Sequence, residues 1–140
     1  MQKISIPLKR TVEIKRGGET VATFTVHPIP LGYAAYLDRV FPHPVEYVGN
    51  GVKQEPRPVP GATYEHNYQT MMLLIAKSLR DQMETQPPTS EKRPDWAAYA
   101  KAVQAEYSEA GLVEGDLILL RKEMELVNQG VAGKEAPPSA

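Results

Sequence analysis

Apolar residues recur at spacings of three and four from Thr63 to Glu84, the longest patterned stretch of the chain. Tyr64, Tyr68, Met71, Met72, Ile75, Leu79 and Met83 fall on one stripe if the stretch is helical. The spacing predicts a central helix over 63–84, roughly 30 Å long, on which the rest of the chain packs. Burying those side chains contributes on the order of 10–20 kcal/mol gross, an upper bound because unfolded chains are already partly compact. Leu73 and Leu74 lie off the stripe and require another partner.

The first 27 residues alternate with a period of two. Ile4, Ile6, Leu8, Val12 and Ile14 share one side of an extended segment, and Ala22, Phe24 and Val26 one side of another. Arg16-Gly17-Gly18-Glu19 supplies the turn of a β-hairpin. A two-residue Gly17-Gly18 loop sets Ile14 opposite Val21 and sends Phe24 to the other face. A three-residue loop, Gly17 to Glu19, sets Ile14 opposite Ala22 and Val12 opposite Phe24, which gathers the larger apolar residues, and this register is expected. Lys3, Lys9, Arg10, Lys15 and Arg16 decorate the unit. They read as a charged strand edge that resists aggregation, or as a contact for an acidic partner.

His27-Pro28-Ile29-Pro30 ends the extended pattern, and a short helix over 31–41 follows. Leu31, Ala34, Ala35, Leu37 and Phe41 form its expected buried face, with Tyr33 and Tyr36 beside it. Residues 42–62 hold five prolines in 21 positions and read as a loop; loops of that length are functional or mobile. Its centre, Val45 to Lys53, suits a small hairpin turning at Asn50-Gly51, while its proline-bearing flanks resist regular structure.

A polar proline-rich linker over 85–94 precedes a helix over 95–110, capped by Asp95 and striped by Trp96, Tyr99, Ala100, Val103 and Tyr107. The last helix covers 113–128, with Glu114 and Asp116 in its first turn, where the helix dipole favours acid. Leu117, Leu120, Met124 and Val127 form one face. Leu119 and Leu126 lie about 200° from Leu117, nearly opposite. A helix apolar on two sides is either sandwiched or presents a surface to a partner. Residues 131–140 have the composition of a disordered tail. The whole predicts one α+β domain over 1–130: an N-terminal β-hairpin, then about four helices with proline-rich linkers.

Charge refines the picture. Lys and Arg number 16 against 17 Asp and Glu, a formal net charge of −1, which argues against a dedicated nucleic-acid binder. The absence of cysteine excludes disulfides, thiol catalysis and cysteine-ligated zinc. No apolar run has the length of a signal peptide core or a membrane span, so a soluble cytoplasmic protein is expected.

Catalytic signatures do not emerge. His27, His43 and His66 are far apart in sequence, none with a second ligand at helical or hairpin spacing. His66 is expected to be exposed. Glu65-His66 matches part of a metalloprotease signature, but Gln69 and Thr70 stand where the second histidine belongs. There is no phosphate-binding glycine loop and no Gly-x-Ser-x-Gly. Neither an enzyme nor a cofactor is expected, and a binding or assembly role is.

The closing region carries a resemblance. WAAYAKAVQAEY (Trp96 to Tyr107) followed by GLVEGDLILLRKEMELVNQG (Gly111 to Gly130), in this order of elements, resembles the tail assembly chaperones of long-tailed bacteriophages. Gly133-Lys134, with seven residues from Lys134 to the last, is similar to the protein-level trace of the slippery sequence at which ribosomes on such genes shift frame. The resemblance implies a non-catalytic chaperone in the host cytoplasm, absent from the mature virion. It keeps the tape measure protein soluble and helps recruit tail tube protein. It carries over no fixed binding residues, so candidates come from helical geometry: Leu119 and Leu126 first, then Leu73, Leu74, Tyr33 and Tyr36. A homo-oligomer is compatible with it. The alternatives are a structural tail or neck component and a small protein-binding adaptor.

Overall fold

The computed structural model describes residues 1–4, 7–89 and 93–133. The fold is α+β, as expected: an antiparallel hairpin, then four helices. β1 (Arg10–Arg16) pairs with β2 (Glu19–Val26). Val12 lies opposite Phe24 and Ile14 opposite Ala22, the expected register. The turn that produces it differs. Gly17 (φ 58°) and Gly18 (φ 84°) form a tight two-residue turn, with Arg16 opposite Glu19 and Lys15 opposite Thr20. Positive φ at both central positions gives the twist that suits a hairpin, and glycine adopts it without strain. A bulge at Val21 then shifts the ladder by one residue. Val21 is thrown outward and exposed, while Val12, Ile14 and Val26 enter the core. Ile4 is exposed and outside the strand, and Ile6 lies outside the described residues.

α1 (Tyr33–Val40) starts two residues later than the expected helix. Leu37, Val40 and Phe41 are buried, whereas Leu31, Ala34 and Ala35 are exposed, which corrects the expected face. The small hairpin expected within the proline-rich region is present as a second ribbon, and its second strand lies in the flank that was expected to resist regular structure. β3 (Val45–Val48) pairs with β4 (Glu55–Pro58) around a turn containing a short 3-10 segment at Gly51–Lys53.

α2 (Pro60–Leu79) begins on a proline, whose missing N–H costs nothing in the first turn. It ends at Arg80 (φ 53°), and a 3-10 turn over Arg80–Gln82 delivers Met83 to the core. The helix contacts α3 (Arg93–Glu109), α4 (Glu114–Asn128) and β2. Three neighbours bury more than a stripe: Met72, Leu73, Ile75, Ala76, Ser78 and Leu79 all lie inside. Tyr64, by contrast, is 80% exposed. Leu73 is fully buried, so its expected availability to a partner is corrected: it is core.

Side chains clamp β2 to the end of α2. The Ser78 hydroxyl donates to the His27 carbonyl at 2.6 Å. The Gln82 amide accepts from the Thr25 N–H at 2.8 Å and donates to the Thr25 carbonyl at 2.6 Å, the pattern of an extra strand. Trp96, at the start of α3, is 1% exposed and meets Tyr36 and Tyr99 edge-on, with ring centroids 5.9 Å and 5.5 Å away.

α4 is sandwiched between α2 and the first hairpin. Arg10 of β1 binds Glu123, and Arg16 binds both oxygens of Asp116, at 2.9 Å and 2.5 Å. With Lys15 beside Glu13 at 3.9 Å, three of the five basic residues of the hairpin are in ion pairs within the chain, two of them to α4. Asp116 also accepts the N–H of Val113 at 2.8 Å, so one carboxylate caps α4 and ties it to β1. The Arg16 hydrogen bonds hold the Asp116 carboxyl lower than its ordinary pKa, and the Val113 amide adds to this against the opposing effect of burial.

A folded-state pKa below the unfolded value of about 3.9 gives stability above that pH, lost as pH falls through the folded value. Asp116→Ala is therefore expected to cost about 2–3 kcal/mol near neutrality. The gap from wild type should narrow below about pH 4. Urea denaturation at pH 7 and pH 3 measures both, and an equal gap at the two pH values contradicts the assignment.

After α4, Gly130 (φ 86°) reverses the chain, and the Val131 N–H reaches the Leu126 carbonyl. The Gly133 N–H then donates to the Lys9 carbonyl at 3.0 Å. Ala132 and Gly133 are thus bonded to Arg10 and Lys9, and the remainder of the expected disordered tail, 134–140, lies outside the described residues.

Candidate functional site

A groove of about 670 Å³ runs between α2 and α4. The α2 wall carries Tyr64, Tyr68, Met71 and Leu74, one helical face at spacings of three and four. The α4 wall carries Ile118, 60% exposed, with Met124 behind it. Polar groups sit among these walls. The Tyr68 hydroxyl donates to Glu114 across the groove at 2.6 Å. That bond, with burial and the nearby carboxylate charge, pushes the phenol pKa up to about 12. Arg121 bonds Glu125 at 3.0 Å one turn on, and lies 3.6 Å from the Met71 sulfur. The site is an apolar trough edged by two carboxylates and a guanidinium. Such a trough can accept an amphipathic helix along its length.

Of the six residues expected to bind a partner, only Leu74 lines this groove. Leu119 and Leu126 are half-buried on the flank of α4 that also carries Asp116 and Glu123, the flank bonded to β1. The second apolar side of α4 therefore serves the hairpin. Tyr33 and Tyr36 are half-buried beside Trp96: Tyr36 contacts its ring, Tyr33 packs on Tyr36, and Lys77 and Arg39 lie over the two tyrosine faces. The Tyr33 hydroxyl is buried without a hydrogen-bond partner among the described residues. The stripe containing Tyr64, Tyr68 and Met71 was legible as a helix face, but its pairing with Ile118 required the fold.

The histidines depart from expectation. His66 is 5% exposed, and its Nε2 meets the Phe41 carbonyl at 2.7 Å. Its ring stacks on Phe41 and lies 4.3 Å, centroid to centroid, from the ring of His43. The fold thus brings together two histidines 23 positions apart in sequence. Burial lowers the pKa of His66, the hydrogen bond to the Phe41 carbonyl opposes this, and the neighbouring His43 and Asp38 lower and raise it in turn. Among the described residues no group of three His, Cys, Asp or Glu side chains is placed to hold a metal ion. No helix of the described residues is long and apolar enough to cross a membrane. Searched against family models, curated proteins and solved structures, the chain matches none.

Proposed function

We propose that the protein is a non-catalytic assembly chaperone of a long-tailed bacteriophage, and that the α2–α4 groove holds a helical segment of the tape measure protein. The observation that carries the reading is the uncovered groove, whose walls present Tyr64, Met71, Leu74 and Ile118 along two helices. A very long helical protein exposes an apolar stripe until the tail tube encloses it. A trough of this shape covers such a stripe by the same side-chain burial that packs helices within a domain. Methionine on the wall adapts to varied side chains, which suits a long client with no single repeated sequence. Glu114, Arg121 and Glu125 at the rim favour clients with charges of both signs beside the stripe.

Co-expression with the tape measure protein of the same phage tests this. The chaperone is expected to raise the soluble fraction of the tape measure protein. The double variant Leu74→Asp/Ile118→Arg is expected to reduce that gain at least about tenfold, the effect of losing 1.4 kcal/mol or more of binding, with its own circular dichroism unchanged and its melting lowered by only about 5–10 °C. A tape measure protein equally soluble without the chaperone sinks the reading. So does recovery of the chain in stoichiometric amounts from purified virions, which is the outcome for a structural component.

A further inference from the structure

The second ribbon has one face and one edge that nothing in the described chain covers. On one face Val45 and Tyr47 lie beside Pro58 and Pro56, their cross-strand partners. All four are exposed, Val45 by 46% and Tyr47 by 65%. The opposite face carries Glu46, Arg57 and Glu55. An isolated two-stranded ribbon is only marginally stable in water.

Its two edges are not equivalent. The Val59 N–H points to the Pro44 carbonyl, which fixes the alternation of the ladder. Glu46 and Val48 bond inward to β4, and the N–H and C=O groups of Val45 and Tyr47 point outward. On β4 the outward positions are Pro56 and Pro58, which have no N–H to offer. The ribbon can therefore be extended along β3 and not along β4.

We propose that β3 pairs antiparallel with β3 of a second copy of this chain across a twofold axis. A suitable partner strand presents outward N–H and C=O groups two residues apart, with apolar side chains on the matching face. β3 itself meets both conditions. Val45 of each copy lies opposite Tyr47 of the other, so every outward backbone group of the two residues is used. The resulting four-stranded sheet ends in prolines on both sides, so pairing closes at a dimer instead of propagating into a fibre. The apolar faces of the two ribbons become one surface. Glu46 meets its own counterpart at the axis, each with Arg57 on its other side.

A four-residue edge buries well under the roughly 1,000 Å² of a tight complex, so dissociation constants on the order of 100 μM are expected. Sedimentation equilibrium of the full chain up to about 500 μM reads this directly. Wild type is expected to form dimers with no larger species. Tyr47→Pro removes an outward donor and leaves the inner ladder intact, and it is expected to stay monomeric. A wild type that remains monomeric throughout, or a Tyr47→Pro variant that dimerises equally well, overturns the proposal; association through another face or with a different protein falls under these outcomes. Glu46→Gln covers the case in which proline at 47 impairs folding. Removing like charges that face each other is expected to tighten the dimer about two- to fivefold, and a dimer that is not tightened overturns the pairing.

Discussion

Trp96→Ala is expected to cost about 4 kcal/mol, the largest loss from any single truncation in this chain. The indole is 1% exposed at the start of α3, where it joins that helix to α1 through Tyr36 and to the next turn of α3 through Tyr99. Edge-on aromatic pairs contribute beyond the area they bury. Removing the ring strips two such pairs and leaves a cavity in the core. Domains of this size have about 5–15 kcal/mol in total, so the variant should approach the limit of folding at 37 °C. Urea unfolding followed by circular dichroism measures it. A loss below about 2 kcal/mol would show that the surroundings collapse into the gap.

Leu73→Ala is expected to cost about 3 kcal/mol, while Leu74→Ala costs about 1 kcal/mol or less. The two leucines are adjacent in sequence, and both fall off the apolar stripe that the sequence shows. Leu73 is fully buried, whereas Leu74 is half-buried at the groove. Client binding is expected to show the reverse order, with Leu74→Ala the more damaging of the pair once the remaining folded protein is counted. Parallel denaturation and co-expression experiments on the two variants separate support of the core from contact with a client. Equal stability losses would place both residues in the core and withdraw Leu74 from the groove.

How much of this was legible in the sequence depended on how local the cause was. The hairpin register was readable because a period of two leaves a single alignment that gathers Val12, Ile14 and Phe24. The bulge at Val21 was not, since a bulge and a longer loop shift register equally. The axis of α2 was readable, but its buried arc was not: an arc is set by the number of neighbours, and α2 has three. That is why Leu73 joined the core and Tyr64 left it. The hairpin turning near Asn50-Gly51 was expected, but the place of its second strand in the proline-bearing flank was missed, because proline counts against a strand unless its nitrogen faces an open edge, and the edge is a property of the pairing. Leu119 and Leu126 were rightly seen as a second side of α4, but its neighbour on that side is the chain's own hairpin.

That arrangement has a consequence for synthesis. β1 finds its side-chain partners about a hundred residues later, Arg16 at Asp116 and Arg10 at Glu123, and the Ile29 N–H just beyond β2 meets the Asn128 side chain. As the chain leaves the ribosome, β2 can dock on the end of α2 through Ser78 and Gln82, while the side of the hairpin that meets α4 stays wet until the last helix arrives. Closure is therefore a late event governed by long-range contacts, the slow kind. A nascent chain halted before residue 116 should hold the hairpin on the end of α2, with Arg10 and Arg16 still without their carboxylate partners.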